Sequence, residues 1–156
     1  MSRVRNPLVV SCVFLWVGFV CAISFMEAWL KFQAPGLTLP VGLGIGRLVF
    51  KALNQIEWVF AIAIVLNFVV RRIRRANNKM IFLVIPLMIL TVQTLELLPE
   101  LDARALKAIQ GGVLEPSYMH TVYIVLEAVK VISLLIFGST LFLQPRHKVV
   151  PTEPQH

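Results

Sequence analysis

The chain has 156 residues, 58% of them hydrophobic and 15% charged, with a mean hydropathy of +0.80 and a formal net charge of +7. A soluble domain is about half apolar and about a quarter charged; here the apolar excess falls in blocks of membrane-spanning length, which excludes an ordinary soluble domain and suits one small bundle in lipid. The cations stand mostly in short stretches beside those blocks, so the positive charge is a topology signal and not a nucleic-acid footprint.

Arg3 and Arg5 precede Pro7, which opens an apolar run to about Leu30. A positive start and an apolar core resemble a signal peptide, but the run is long and no small-x-small cleavage site follows, so it reads as a retained first span with Glu27 near its far end. Cys12 and Cys21 both lie in this run, nine residues apart on one helix and too far for a mutual disulfide, and no CxxC or zinc spacing occurs. Lys31–Pro40 is a loop broken by two prolines and a glycine. Val41–Phe50 holds Gly42, Gly44 and Gly46; Gly42 and Gly46 form a GxxxG, which lets helices approach closely, yet the segment is expected to be a flexible re-entry or an interfacial stretch. It lacks the strand and the GxGxxG of a nucleotide fingerprint.

The second span is predicted over about residues 51–70, carrying Asn54, Glu57 and Asn67. Arg71–Lys79 follows as a short basic hairpin around which the topology is organised. The third span, about residues 80–98, contains Pro86, which should kink it, and Gln93 and Glu96 near its far end. Pro99–Ser117 is the most hydrophilic connection, with a short surface helix expected over Asp102–Ile109. The fourth span, about residues 118–143, carries His120, Tyr123, Glu127 and Lys130. Residues 144–156 are polar, hold three prolines and read as a disordered tail. The expected fold is thus all-α, an integral membrane antiparallel four-helix bundle.

Placing the hairpin in the cytoplasm puts nine cations inside (Arg3, Arg5, five in the hairpin, Arg146, Lys148) and five outside (Lys31, Arg47, Lys51, Arg104, Lys107), with Lys130 within a span. The positive-inside rule then assigns both termini to the cytoplasm, in a plasma or inner membrane.

Each span contributes one acid, and at about 1.5 Å of rise per residue Glu27, Glu57, Glu96 and Glu127 all fall in the outer half. His120, Tyr123, Glu127 and Lys130 step by three, four and three, one stripe of a helix; Asn54 with Glu57, and Gln93 with Glu96, are i,i+3 pairs on one face. Because a charge facing lipid is costly, these residues are expected to line a polar pocket open to the external side, with ligand-binding candidates Glu27, Asn54, Glu57, Gln93, Glu96, His120, Tyr123 and Glu127. Bland readings stand beside this one. Glu27 can pair with Lys31, Glu96 can be a helix-end acid, Glu127 can be neutralised by Lys130, and His120 can be interfacial. Trp16, Trp29, Trp58, Tyr118 and Tyr123 read as packing and belt aromatics.

Carboxylates and a histidine suit a cation, but the Glu-x-x-His of di-iron bundles is absent, and no cofactor can be named. No nucleophile elbow, HExxH, Walker loop or serine triad occurs, and Ser24 and Ser133 have no base nearby in sequence. Catalytic residues are therefore none, and any enzyme chemistry would be metal-dependent at the acid cluster.

Ala34-Pro35 after the first span, Gly46-Arg47-Leu48-Val49-Phe50 with Glu57 following, and Pro116-Ser117-Tyr118-Met119-His120 at the start of the fourth span resemble the small four-span membrane family termed transmembrane protein 205-like, a domain of unknown function. The resemblance covers about Leu8–Leu143 and implies an integral four-helix protein without a settled activity; Phe32, displaced before Ala34, departs from its pattern. The expected function is a small multi-pass protein whose pocket binds or passes protons, a cation or a small polar ligand. The alternative is an accessory or assembly subunit with its acids in structural pairs. Expected partners are membrane lipid, a second copy of the chain or another membrane protein, and no nucleic acid.

Overall fold

A computed structural model describes residues 6–70, 80–113 and 117–142. Four helices account for nearly all of them: α1 (Pro7–Gln33), α2 (Leu39–Val70), α3 (Ile81–Ile109) and α4 (Met119–Phe142), each long and apolar enough to cross a membrane. No strand occurs among the described residues. The basic hairpin Arg71–Lys79 and the 144–156 tail of the sequence reading lie outside the described residues.

Local chemistry sets the helix ends. Pro7 occupies the first turn of α1, where a missing N–H costs nothing and the fixed φ favours helix. Pro35 and Gly36, the latter at φ 80°, turn the chain between α1 and α2. At the end of α3, Gly111 takes φ 80°, its N–H donates to Ala108 O (3.1 Å), and the Gly112 N–H donates to Lys107 O (2.9 Å). That pair of bonds is a Schellman motif, which satisfies carbonyls the helix would otherwise leave open.

The helices form a closed ring in which α1 packs on α2 and α4, and α3 on the same two. Consecutive helices run antiparallel: Lys31 at the end of α1 lies against Gly46 early in α2, and Arg47 bonds Asp102 late in α3. Inward faces repeat every three or four residues: Val9, Val13, Trp16 and Val20 on α1; Leu53, Glu57, Ala61 and Ile64 on α2; Tyr123, Glu127, Lys130, Leu134 and Phe137 on α4. Large apolar side chains face outward on every helix, among them Leu15, Leu66, Met88 and Ile132, each more than half exposed. Apolar outside with charge inside is the pattern that lipid as solvent selects.

Val41–Phe50, expected as a re-entrant or interfacial stretch, is helical and continuous with the span that follows. Its GxxxG accommodates the end of α1: a Cβ at Gly42 would overlap the Phe32 ring, and one at Gly46 would stand 2.9 Å from Lys31 Nζ. The 32 residues of α2 give a rod of about 48 Å, against a hydrocarbon layer of about 30 Å. The surplus beginning of α2 and the end of α3, Leu98–Ile109, extend together and are joined by Arg47 and Asp102. The surface helix expected over Asp102–Ile109 is thus the continuation of the third span.

Two of the helices contain a π turn: Cys21–Glu27 in α1 and Gln93–Leu97 in α3. The i→i+5 bonding of a π turn fits an extra residue into the helix and shifts the phase of everything beyond it.

Candidate functional site: a buried ion-pair centre

Lys130 is the twelfth of the 24 residues of α4, so its ammonium starts from the middle of a membrane-length helix. It is fully buried and bridges two acids, 2.6 Å from Glu57 Oε1 and 3.2 Å from Glu127 Oε1. The Trp16 indole Nε1–H also donates to Glu57 Oε1 (2.8 Å), and the Gln93 amide donates to Glu127 Oε1 (3.0 Å). One residue each from α1, α2 and α3, with two from α4, therefore close a single charged network across the bundle axis. Trp16, Glu57, Gln93, Glu127 and Lys130 each have 0% exposure. Tyr123, one turn before Glu127 on the same face of α4, is buried beside them.

The charge balance of this centre is its most informative property. Two carboxylates share one ammonium. In each acid one oxygen, Oε1, accepts all of these bonds, while Glu57 Oε2 and Glu127 Oε2 are buried without a hydrogen-bond partner, as are Gln93 Oε1 and Ser24 Oγ. With both acids ionised the centre holds one uncompensated negative charge in a medium that penalises it heavily. One added proton on either free oxygen neutralises it.

A second polar layer lies one turn away. Asn54 Nδ2 (2.9 Å) and Trp58 Nε1 (3.0 Å) donate to Thr94 Oγ1, which itself donates to Leu90 O (2.7 Å). Asn54 and Thr94 also form part of the wall of a cavity of about 900 Å³ between the ends of α1 and α3 and the beginnings of α2 and α4. The cavity thus reaches to within one helical turn of Glu57 on α2 and to the neighbour of Gln93 on α3.

Of the eight residues expected to share a pocket, the structure brings together Glu57, Gln93, Tyr123 and Glu127, and sets Asn54 just above them. It places three elsewhere. Glu27 pairs with Lys31 at i,i+4 (3.3 Å), and His120 is exposed at the cavity rim. Glu96 is exposed although Gln93 is buried; residues at i,i+3 share a face only in α-helical phase, and the π turn Gln93–Leu97 puts Leu97 on the inner face instead. The acids that do meet are enclosed, not open to one side. Trp16 and Thr94 are the members that sequence reasoning missed. Trp16 follows the buried 4-3-4 spacing of Val9, Val13 and Val20, so its depth was readable, but its N–H partner on α2 was not. No group of three or more His, Cys, Asp or Glu side chains among the described residues is placed to hold a metal ion.

The class defined by these features is a bundle of four membrane-length helices with a charged, hydrogen-bonded interior. In comparisons with known proteins, no family model, no curated protein and no solved structure matches the chain.

Proposed function

We propose that the protein is a small multi-pass membrane protein that binds a proton at the Glu57–Lys130–Glu127 centre and exchanges it with the side on which the cavity opens. The observation that carries this reading is the pair of buried, unpartnered oxygens, Glu57 Oε2 and Glu127 Oε2, flanking a single fully buried ammonium. Ionisable groups held inside a membrane bundle commonly mark proton or ion pathways, and π turns recur at functional sites; here both π turns contribute a buried polar residue, Ser24 and Gln93. A proton is favoured over a metal cation because Lys130 Nζ already occupies the position between the carboxylates. The cavity floor at Asn54 and Thr94 supplies the approach. The cation count of the connecting stretches supports an orientation with both termini cytoplasmic and the cavity facing out, in a plasma or inner membrane.

The test is infrared titration of the protein reconstituted in lipid, together with dye-reported proton movement in liposomes. One carboxyl C=O band should be present at neutral pH and absent in Glu57→Gln and in Glu127→Gln, each of which leaves a single acid balanced by Lys130, with proton movement reduced in both. Absence of any protonated carboxyl, together with proton movement no faster than in empty liposomes, sinks the reading. That result would favour the second one, an accessory or assembly subunit. Its supporting observation is that Lys130 bonds both acids at once, as a purely structural clamp between α2 and α4 would.

A further inference from the structure

Contacts between the helices order the cavity from mouth to floor. Phe32 lies against Gly42 at the mouth; Lys31 against Gly46 comes next, then Arg47 bonded to Asp102. Lys51 follows one turn further along α2, and the floor is Asn54 bonded to Thr94. Leu43 and Met119 also stand toward the mouth, while Phe50 and Leu98 line the middle. The wall carries four cations, Lys31, Arg47, Lys51 and Arg104, against one acid, Asp102. Lys31 is paired with Glu27 and Arg47 with Asp102, whereas Lys51 is exposed and makes no ion pair among the described residues. The floor is a hydrogen-bonding surface. Asn54 spends its Nδ2 on Thr94, which leaves its Oδ1 to accept, and the exposed amide of Gln55 can both donate and accept. A volume of about 900 Å³ suits an organic ligand and not a bare ion.

Lys51 and the amides lie deeper than the apolar mouth, so a ligand that fits must enter charged end first and must be able to hydrogen-bond there. The geometry points to a binding site for a water-soluble, hydroxylated organic anion. Its carboxylate or phosphate sits at Lys51 and the neighbouring cations, and its hydroxyls meet the Asn54 and Gln55 amides. The shared chemistry has two sources, a hydroxy acid or a sugar phosphate. The site goes beyond the proton reading and does not depend on it, since none of its cations belongs to the Glu57–Lys130–Glu127 network. Two small residues make clean probes. Ala28 lines the cavity three residues before Lys31 on α1, on the deeper side of that lysine. Gly44 lines the mouth, where a Cβ would meet only Ile109 Cδ1, at 4.0 Å.

The experiment uses the full chain in nanodiscs of neutral phosphatidylcholine, with Ala28→Cys or Gly44→Cys and two water-soluble thiol reagents of equal size, a sulfonate and a quaternary ammonium. The wild type, with Cys12 half-buried and Cys21 exposed on the first span, gives the blank. The sulfonate, itself a small organic anion, should react roughly tenfold faster than the cation at both positions, the lower end of electrostatic steering. Adding Lys51→Gln should reduce that preference. Malate or glucose 6-phosphate should protect Ala28→Cys, and whichever protects at lower concentration identifies the source; glucose and inorganic phosphate should protect far less. Lys51→Gln should raise the protecting concentration roughly tenfold, the scale of one hydrogen-bonded charge. Glu57→Gln should leave protection unchanged, which separates this site from the proton reading. Equal rates for the two reagents, or a faster cation, would overturn the proposal. So would protection by neither organic anion, equal protection by glucose or inorganic phosphate, or no labelling at either position in the folded protein.

Discussion

Two interhelical ion pairs of similar length stand in opposite surroundings. Lys130 lies 2.6 Å from Glu57 with both side chains sealed from solvent, whereas Arg47 grips Asp102 with two bonds, of 2.5 and 2.9 Å, while the two side chains remain 28% and 46% exposed. Distance alone would rank them as equals. In the first, neither partner can turn to water, so each makes the other tolerable and loss of one strands a charge. In the second, water and salt stand ready to replace either partner. The contrast teaches that the inner pair governs whether the bundle forms, while the outer pair governs how its projecting ends are aligned.

The largest effect is expected from Lys130→Met. It leaves two acids without their cation and should destabilise the folded protein by about 3–5 kcal/mol, read by denaturant or detergent unfolding at neutral pH. Adding Glu57→Gln to Lys130→Met should recover much of the loss. If Lys130→Met unfolds like the wild type at every pH, the inner pair is not the organising contact.

Trp16→Phe keeps the ring in place but removes the indole donor to Glu57. The expected cost is about 1.5–3 kcal/mol, that of a hydrogen bond to a charged group, with a smaller loss if the carboxyl is protonated. Thr94→Val, which takes the acceptor from both Asn54 and Trp58, should cost about 1 kcal/mol and is measured in the same assay. The smallest effect belongs to the outer pair. Arg47→Gln and Asp102→Asn should show only a slight coupling in a double-mutant cycle, and that coupling should fade as salt is raised. A large salt-independent coupling there would erase the distinction between the two pairs.

The four spans were legible because lipid demands long apolar helices and the sequence supplies them in separate blocks. The inward stripe of α4 was legible for a related reason: Tyr123, Glu127 and Lys130 obey α-helical spacing, and α4 contains no π turn. What failed was phase and partnership. α-helical spacing puts Glu96 on the face of Gln93, and nothing in Gln-Thr-Leu-Glu-Leu announces a π turn; that conformation depends on packing against other helices. Trp16 reads as a packing aromatic in the sequence because its hydrogen-bond partner is 41 residues away. The glycines of Val41–Phe50 suggested flexibility, whereas the folded chain uses two of them as recesses for Phe32 and Lys31. Depth groups Glu27 with the other acids, but depth does not specify which way a side chain points around the helix; His120 shares the stripe of α4 yet stands at its exposed beginning.

The π turn at Gln93–Leu97 divides α3 into two rigid parts with different duties. The first presents Leu83, Leu90 and Gln93 to the bundle, and the second carries Asp102 to Arg47. Removing a single residue such as Leu95, an exposed side chain within the turn, would regularise the helix and rotate everything after it by about 100°. The membrane half would keep its register while Asp102 swung away from its arginine and the roof over the cavity opened. The turn therefore acts as an angular offset built into the rod, and one codon there sets the alignment of the projecting end without touching the charged interior.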